Sequence, residues 1–424
     1  MATVTIQSAD LKRAVRWAAP DEDSTLPVLA NVRVTVTAGQ LVLAVYDWET
    51  LLLARYPGEG DGGTGSALIP AGPLAEAAGT LPAGPVEVSV HDDTVDLVTG
   101  PGTTSAHRLS IVQDCDPSCY PEFPAMPAIT GWAAAEVLIP AVTLAAGCCS
   151  AEGELPLIRA VHFAAGAGVL DLEGTNRYII GMHQVPFNPA AQKRDMLIPG
   201  PLAVRFAKAP TAGPVFLGAD DAAVMLSDAW HTVVTKPPAG EYPKVRTVAA
   251  RAAAASAKAT IEIPVTDLAA ACAAAKAAVD THLDGYTDEL IEAVDADEEL
   301  SAAAKEAAKT DKRRHVATRR GRGMFLMVDG ATPCGAEIVA VHPFTAAVLG
   351  RWPLAGATCD GEPVVCSLNP EYLRALLPAG GTVVLHLPGG YKPVRVTVAG
   401  SAWEGVICPI KEDPPADAAG GEAE

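Results

Sequence analysis

Met196-Leu-Ile-Pro-Gly-Pro-Leu-Ala-Val-Arg-Phe-Ala-Lys-Ala-Pro-Thr-Ala-Gly-Pro-Val215, running on to Val224-Met-Leu-Ser227, reads as a strand end, a proline-opened helix, a Pro/Gly turn and two strands. The same grammar occurs earlier, in Ala67-Leu-Ile-Pro-Ala-Gly-Pro-Leu74, Leu81-Pro-Ala-Gly-Pro-Val86 and Val95-Asp-Leu-Val98. It occurs again in Cys366-Ser-Leu-Asn-Pro-Glu-Tyr-Leu-Arg-Ala-Leu-Leu-Pro-Ala-Gly-Gly-Thr-Val383 and Val394-Arg-Val-Thr-Val398. From Ile69 to Ile198 is 129 positions, and from Ile198 to Asn369 is 171. Self-similarity at a long period marks repeated structural units, so the chain is read as three copies of one α+β unit. The 42 additional positions in the second interval match a charged block inside the third copy.

Around this stretch each copy shows alternating strands and a first helix. In the first, Thr3-Val-Thr-Ile-Gln7 precedes a helix over 9–18, with Ser8 as its N-cap and Pro20 as its stop. Strands follow at Val32-Arg-Val-Thr-Val36, Leu41-Val-Leu-Ala-Val45 and Leu51-Leu-Leu-Ala-Arg55, and Ala106-His-Arg-Leu-Ser-Ile111 closes the copy. The boundaries predicted are 1–127, 128–248, an Ala-rich linker at 249–259, and 260–411 with the charged insertion at about 280–323. Residues 412–424 form an acidic Pro/Gly/Ala tail whose composition predicts disorder. In the insertion an acidic half from Asp280 to Glu299 precedes a basic half from Lys305 to Arg322. Leu283, Leu290, Val294 and Leu300 offer an apolar stripe for a helical hairpin, and a charge-segregated disordered loop is the alternative.

The 424 residues carry a formal net charge of −19, which speaks against simple coating of DNA but leaves room for one basic face. No run of about 18 apolar residues and no secretory leader is present, so a cytoplasmic location is expected. The nine cysteines show no CxxC and no histidine-bearing cluster, which predicts reduced thiols and no metal. There is no P-loop, GxSxG or HExxH, and Asp47 with Glu49 reads better as turn chemistry than as an acid–base pair. No catalytic residue and no cofactor is predicted.

Several pieces, in this order and spacing, resemble the bacterial DNA polymerase III beta subunit, the sliding clamp family. They are Ser24-Thr-Leu-Pro-Val-Leu-Ala-Asn31 and Asp47-Trp-Glu49; Glu173-Gly-Thr-Asn-Arg-Tyr-Ile179 and Glu241-Tyr-Pro-Lys-Val-Arg246; and Asn369-Pro-Glu-Tyr-Leu-Arg-Ala-Leu376 with Val406-Ile-Cys-Pro-Ile410. The resemblance implies three clamp domains with antiparallel sheets outside and helices lining a ring. It implies a non-catalytic homodimer that encircles double-stranded DNA without sequence preference and tethers a replicative polymerase. The alternative reading is a clamp-like protein that competes for clamp partners without encircling DNA.

The residues the resemblance places facing DNA are Lys12, Arg13 and Arg16, Arg205 and Lys208, and Lys276 and Arg374. Asp23, Gly200 and Pro201 stand where the family often has basic residues, so a weak electrostatic grip is expected. A pocket for short peptides of the polymerase and clamp loader is expected at Ile158, Thr175, Arg177, Tyr178, Pro243, Val248, Val406, Cys408, Pro409 and Ile410. The dimer interface is expected to pair His107, Leu109 and Ile111 of one chain with the helix bearing Cys272 and Lys276 in its partner.

Overall fold

A computed structural model of the chain describes residues 2–412 apart from 21–25, 38, 61, 101–105, 114, 116, 152–154, 191–193, 210, 212 and 330–334. Ser24, Thr25, Asp23 and all of the tail beyond Glu412 therefore lie outside the described residues. The helices are α1 (Ser8–Trp17), α2 (Ala71–Thr80), α3 (Ala135–Gly147), α4 (Gly200–Ala207), α5 (Val245–Ala254), α6 (Val265–Ala296), α7 (Ala302–Ala317) and α8 (Pro370–Ala375).

The order of elements recurs three times. In the first two copies a strand leads into a helix, a short helical piece, five strands, a second helix and three strands; in the third the 16-residue α7 stands in place of the short piece. Proline opens the second helix in every copy: Pro70 precedes α2, Pro199 precedes α4 and Pro370 starts α8. A proline at a helix start gives up an N–H that no turn would have used. In α8 the side chain of Asn369 supplies the cap as well, accepting from the amides of Glu371 and Tyr372 at 2.8 and 3.2 Å.

By internal contact the chain divides into two units, residues 1–143 with 160–171 and 185–240, and residues 144–159 with 172–184 and 241–424. In unit 1 a five-stranded sheet runs in the order Glu59–Gly60, Ala2–Gln7, Pro85–Val90, Thr94–Thr99, His107–Val112. A nine-stranded sheet contains the other four strands of the first copy and, from the second, its first strand, Asn188–Pro189 and its last three strands. Unit 2 holds a run of strands Ile179–Pro186, Glu404–Ile407, Val394–Val398, Thr382–Leu387, Ala259–Pro264 and Thr358–Gly361, and a four-stranded sheet starting at Val348–Pro353. All these pairings are antiparallel, and the inward residues are aliphatic, such as Val4, Val88, Ile261 and Leu385. Alternation places them on one face of each strand.

Registers repeat as faithfully as the elements. The first strand of each copy pairs with the strand after its second helix, setting Val4 opposite Val88, Ala133 opposite Val215 and Ile261 opposite Leu385. Successive copies are also joined in the same way. The last strand of the second copy (His231–Thr235) pairs with Thr50–Pro57 of the first, and the last strand of the third (Glu404–Ile407) pairs with Ile179–Pro186 of the second. Two equivalents remain over: His107–Val112 and Val348–Pro353, each at the edge of its sheet.

One turn is built three times with different chemistry. Asp47 Oδ1 accepts from the amides of Glu49 and Thr50, and Asn176 Oδ1 accepts from those of Tyr178 and Ile179. The residue after each acceptor, Trp48 or Arg177, takes a positive φ of 69° or 79°. In the third copy His342 Nδ1 takes this place, accepting from the amides of Phe344 and Thr345 at 3.3 and 3.2 Å.

The charged insertion is the helical hairpin of the two alternatives. The first helix of the third copy runs past the predicted start of the insertion at about 280 and continues as α6 to Ala296, and α7 returns. Ser301 caps α7 by accepting from the Ala304 amide. Leu283, Val294 and Val316 are buried, and Leu290 packs partly against the same core. Arg320 pairs with Asp280 and Asp284, and Lys309 reaches Asp295 at 2.7 Å. At its base Tyr286 stacks on Phe344, with ring centroids 5.0 Å apart, and meets His342 edge-on. Two smaller differences stand out: Gln7 rather than Ser8 occupies the N-cap position of α1, and about half of the expected 249–259 linker is the end of α5.

His342 makes the hairpin base pH-sensitive. Burial lowers its pKa, and the nearby His282 charge adds to this. A hydrogen bond with the backbone of His282 and the charge of Glu289 both act in the opposite sense but do not outweigh burial. A depressed histidine favours the neutral folded form, so this stabilisation is complete above the ordinary histidine value of about 6.5 and is lost as pH falls below it. His342→Asn restores the acceptor that Asn176 provides. Thermal melts of the variant are expected to lose less stability between about pH 7 and 5 than the native chain, and equal losses would remove His342 as the cause.

Candidate partner pocket and basic clusters

Within unit 2 a cavity of about 180 Å³ is lined by Ile158, Thr175, Arg177, Tyr178, Ile180, Pro243, Lys244, Val245, Val248, Val406 and Cys408. The turn after Thr175 builds one wall. Thr175 Oγ1 donates to the Ile179 carbonyl at 2.6 Å and accepts from the Arg177 amide at 3.2 Å. That turn projects Tyr178, which is 56% exposed and stacks on Tyr372 of α8 with ring planes 15° apart. The opposite wall is the start of α5. It is held by Tyr242, whose hydroxyl donates to the Glu173 carbonyl, and by Arg246, which pairs with the Glu173 carboxylate. Val406 forms the floor with almost no exposure, and Cys408 lies beside it. Burial raises the Cys408 thiol, so it contributes a neutral, polarizable surface.

Eight of the ten expected pocket residues therefore meet in one cavity. Pro409 and Ile410 do not. After the Cys408 amide donates to the Tyr178 carbonyl, the backbone turns away and the Ile410 amide donates to Ser367. Glu412 continues in that direction: its carboxylate accepts from Ser367 Oγ at 3.0 Å and lies 3.7 Å from Arg322. Ile180, Lys244 and Val245 were missed in sequence. Ile180 was signalled by alternation from Tyr178, and the other two by adjacency to Pro243.

In unit 1, Arg13, Arg16, Trp17, Arg205, Lys208 and His231 surround a basic depression. Trp17 organises it. Its ring meets Phe206 of α4 edge-on at 6.0 Å and His231 at 4.8 Å. Arg205 donates to the Trp17 and Ala19 carbonyls at 2.5 and 2.6 Å, satisfying acceptors at the end of α1. His231 joins Tyr56 and Asp228, a role hidden in sequence because His231 sits inside a strand pattern. Burial works to raise the Asp228 carboxyl, but hydrogen bonds from the His231 ring and from the His231 and Trp230 amides hold it below its usual value.

The seven expected DNA-facing cations do not stand alike. Lys12 donates to the Leu81 carbonyl, Arg13 pairs with Asp10, and Lys276 pairs with Asp280 and Glu371. Arg16, Lys208 and Arg374 are exposed and carry no ion pair among the described residues. Of the expected interface residues, His107 and Leu109 are exposed on the edge strand, while the Ile111 side chain is buried. Cys272 needs correction. It is fully buried in the core of unit 2, with its thiol pushed up to about 12 by burial, so its side chain is not available to a partner.

Residues 2–115 match the family model described as DNA polymerase III beta subunit, N-terminal domain. The beta sliding clamp of Streptomyces coelicolor is 26% identical over 257 residues, covering 58% of this chain and 66% of that protein. The beta sliding clamp of Micrococcus luteus is 28% identical over 252 residues, 58% of this chain and 79% of its own length. The chain thus spans just under two thirds of the first relative's length. The solved DnaN sliding clamp (DNA polymerase III subunit beta) of Pseudomonas aeruginosa, bound to griselimycin, matches with a TM-score of 0.74. That match has 16% identity and covers 97% of this chain and all of that one.

Over residues 2–115 the chain matches the beta-subunit family model, and over nearly its whole length it shares the fold of the solved beta sliding clamps. Proteins of this family are non-catalytic processivity factors. The α+β architecture of repeated antiparallel sheets is the clamp fold. No helix of the described residues is long and apolar enough to cross a membrane. The described cysteines are free, and burial pushes Cys149 and Cys366 up to about 12, far from thiolate chemistry.

A close crossing lies beside the cavity, next to Thr175. A Cβ on Gly174 would lie 1.8 Å from the Ala145 carbonyl of α3, a backbone atom with no freedom to withdraw. Gly174→Ala is expected to cost about 2 kcal/mol or more. Chemical denaturation should show a lower midpoint at unchanged slope, and an unaltered midpoint would show that the crossing can relax.

Proposed function

We propose that this chain is a DNA sliding clamp, a homodimeric ring that encircles duplex DNA and tethers a replicative polymerase. The observation that carries the reading is the twice-used strand junction with one half left open at either end. Inside the chain, a last strand of one copy zips to the third copy-internal strand of the copy before it. The last strand of the first copy, His107–Val112, and the corresponding strand of the third, Val348–Pro353, are the two unpaired halves. Two chains set head to tail make this junction twice more, and a heterologous interface whose rotation closes gives a ring.

Leu109, with Pro73 and Thr80 of α2, lines a groove along the open strand of the first copy. This is the surface we assign to the interface, together with His107, Ile111 and the exposed side of the α6 segment bearing Lys276. Edge strands left open invite pairing, and a partner strand is the natural cover. Arg16, Lys208 and Arg374 supply sequence-blind phosphate contacts in this reading, with Lys12, Arg13, Arg205 and Lys276 contributing more weakly because their charges are already engaged. The cavity of unit 2 takes an apolar anchor from short peptides of the polymerase and clamp loader. It has an apolar floor and a rim of Arg177 and Lys244. A clamp of this kind works where DNA is, in the cytoplasm.

Retention on nicked circular DNA after loading and a high-salt wash is the test. Retention on circles with loss from the same DNA linearised is the expected result. Loss from both, with binding of clamp-partner peptides preserved, would favour a competitor that does not encircle DNA. Leu109→Lys, at a side chain 39% exposed, should leave the fold within about 0.5 kcal/mol of native while shifting the dimer to monomer in light scattering. A variant that stays dimeric would move the interface elsewhere.

A further inference from the structure

Among the described residues of the hairpin α6–α7, the positive charge left without an ion pair or a local acceptor is concentrated in one place. Arg320 is bound by Asp280 and Asp284, Lys309 by Asp295 and Glu306, and Arg322 by Glu412. Lys305 donates to the Asp295 carbonyl, and Arg319 lies 5.7 Å over the Phe344 ring. Lys312, Arg313 and Arg314 are all exposed and carry no ion pair among the described residues. Asp311 stands next to them without pairing to any of the three among the described residues. In a chain of net charge −19, three adjacent cations left without carboxylate partners call for an anionic occupant.

We propose that Lys312, Arg313 and Arg314 form a phosphate-contacting patch for duplex DNA, additional to the helices that the clamp reading assigns to DNA; the proposal rests on that reading. Successive helical residues are about 100° apart and rise 1.5 Å, so three in a row fan their charges around much of one turn of α7. The long, flexible Lys and Arg side chains reach from their different starting directions toward one phosphate backbone, and such contacts read no base edge. DNA is favoured over an acidic protein by charge density alone: a duplex presents one phosphate about every 1.7 Å of axis. The two basic clusters of the insertion, alike in sequence, thereby separate. Arg319-Arg320-Gly321-Arg322 fastens the base of the hairpin, and Lys312-Arg313-Arg314 faces outward. Asp288, Glu289 and Glu292 on α6 and Glu298 and Glu299 in the turn before α7 are exposed and carry no ion pair among the described residues, so the duplex approaches from the α7 side.

The experiment uses the full chain and a short linear duplex with a fluorescent label, with binding followed by anisotropy over a range of salt. The slope of log affinity against log salt changes by about 0.9 for each phosphate contact. Lys312→Ala/Arg313→Ala/Arg314→Ala should therefore lower the slope by about 2.7. Asp288→Asn/Glu292→Gln should tighten binding. An unchanged slope in the triple variant, or no salt-dependent binding by the native chain, overturns the proposal. So does binding of the patch to an acidic peptide with the DNA slope unmoved. Retention on nicked circles fails independently of this slope, so loss of the ring reading and loss of the patch are told apart. All three substituted side chains are exposed on α7, and a circular dichroism melt matching the native chain confirms that the fold is unchanged.

Discussion

The pairing of one copy's last strand with an inner strand of the copy before it is the constraint on which the rest depends. A strand edge exposes a row of amides and carbonyls that must find partners in protein or water. His231–Thr235 and Glu404–Ile407 solve this for the neighbouring copy, in each case antiparallel and in register. The solution cannot be completed inside a single chain, because a linear series of copies always ends with two unmatched halves. In the proposed ring, assembly continues folding by the same kind of hydrogen bonds.

Around that constraint the chain places its chemistry in turns and at helix ends. Thr175 and Asn176 shape a turn that carries Arg177 at positive φ and sets Tyr178 against Tyr372, so the pocket wall is fixed by backbone bonds. The equivalent turn in the third copy uses a histidine, and the hairpin base is built on it. The same backbone need met by Asp, Asn and His gives three copies with different responses to pH, since only the histidine titrates near neutrality.

Electrostatics divides the molecule in a way that net charge hides. Most cations on the helices assigned to DNA already serve local carbonyls or carboxylates, as Arg205 does at the end of α1. Such bonds hold elements together and reduce what is left for a ligand. Exposed pairs of this type contribute little stability each, typically below 1 kcal/mol. Their greater effect is on where positive charge remains without an ion pair, which among the described residues includes Arg16, Lys208, Arg374 and Lys312, Arg313 and Arg314 of α7.

By itself the sequence determined the repeat and the α+β class, and the family resemblance pointed to most of the cavity lining. Proline, alternation and turn residues act locally and repeat with the chain, so Ile69, Ile198 and Asn369 mark equivalent places without any coordinates. It left open whether the insertion folds. That depended on Arg320 reaching Asp280 and on Tyr286 finding Phe344, contacts between residues far apart in sequence. Tertiary structure alone decided that Cys272 is core, that Pro409 and Ile410 leave the pocket, and which cations stay unpaired. The physical reason is the same in each case. Secondary-structure pattern is written in neighbouring residues, whereas burial and charge pairing belong to whatever the fold brings alongside.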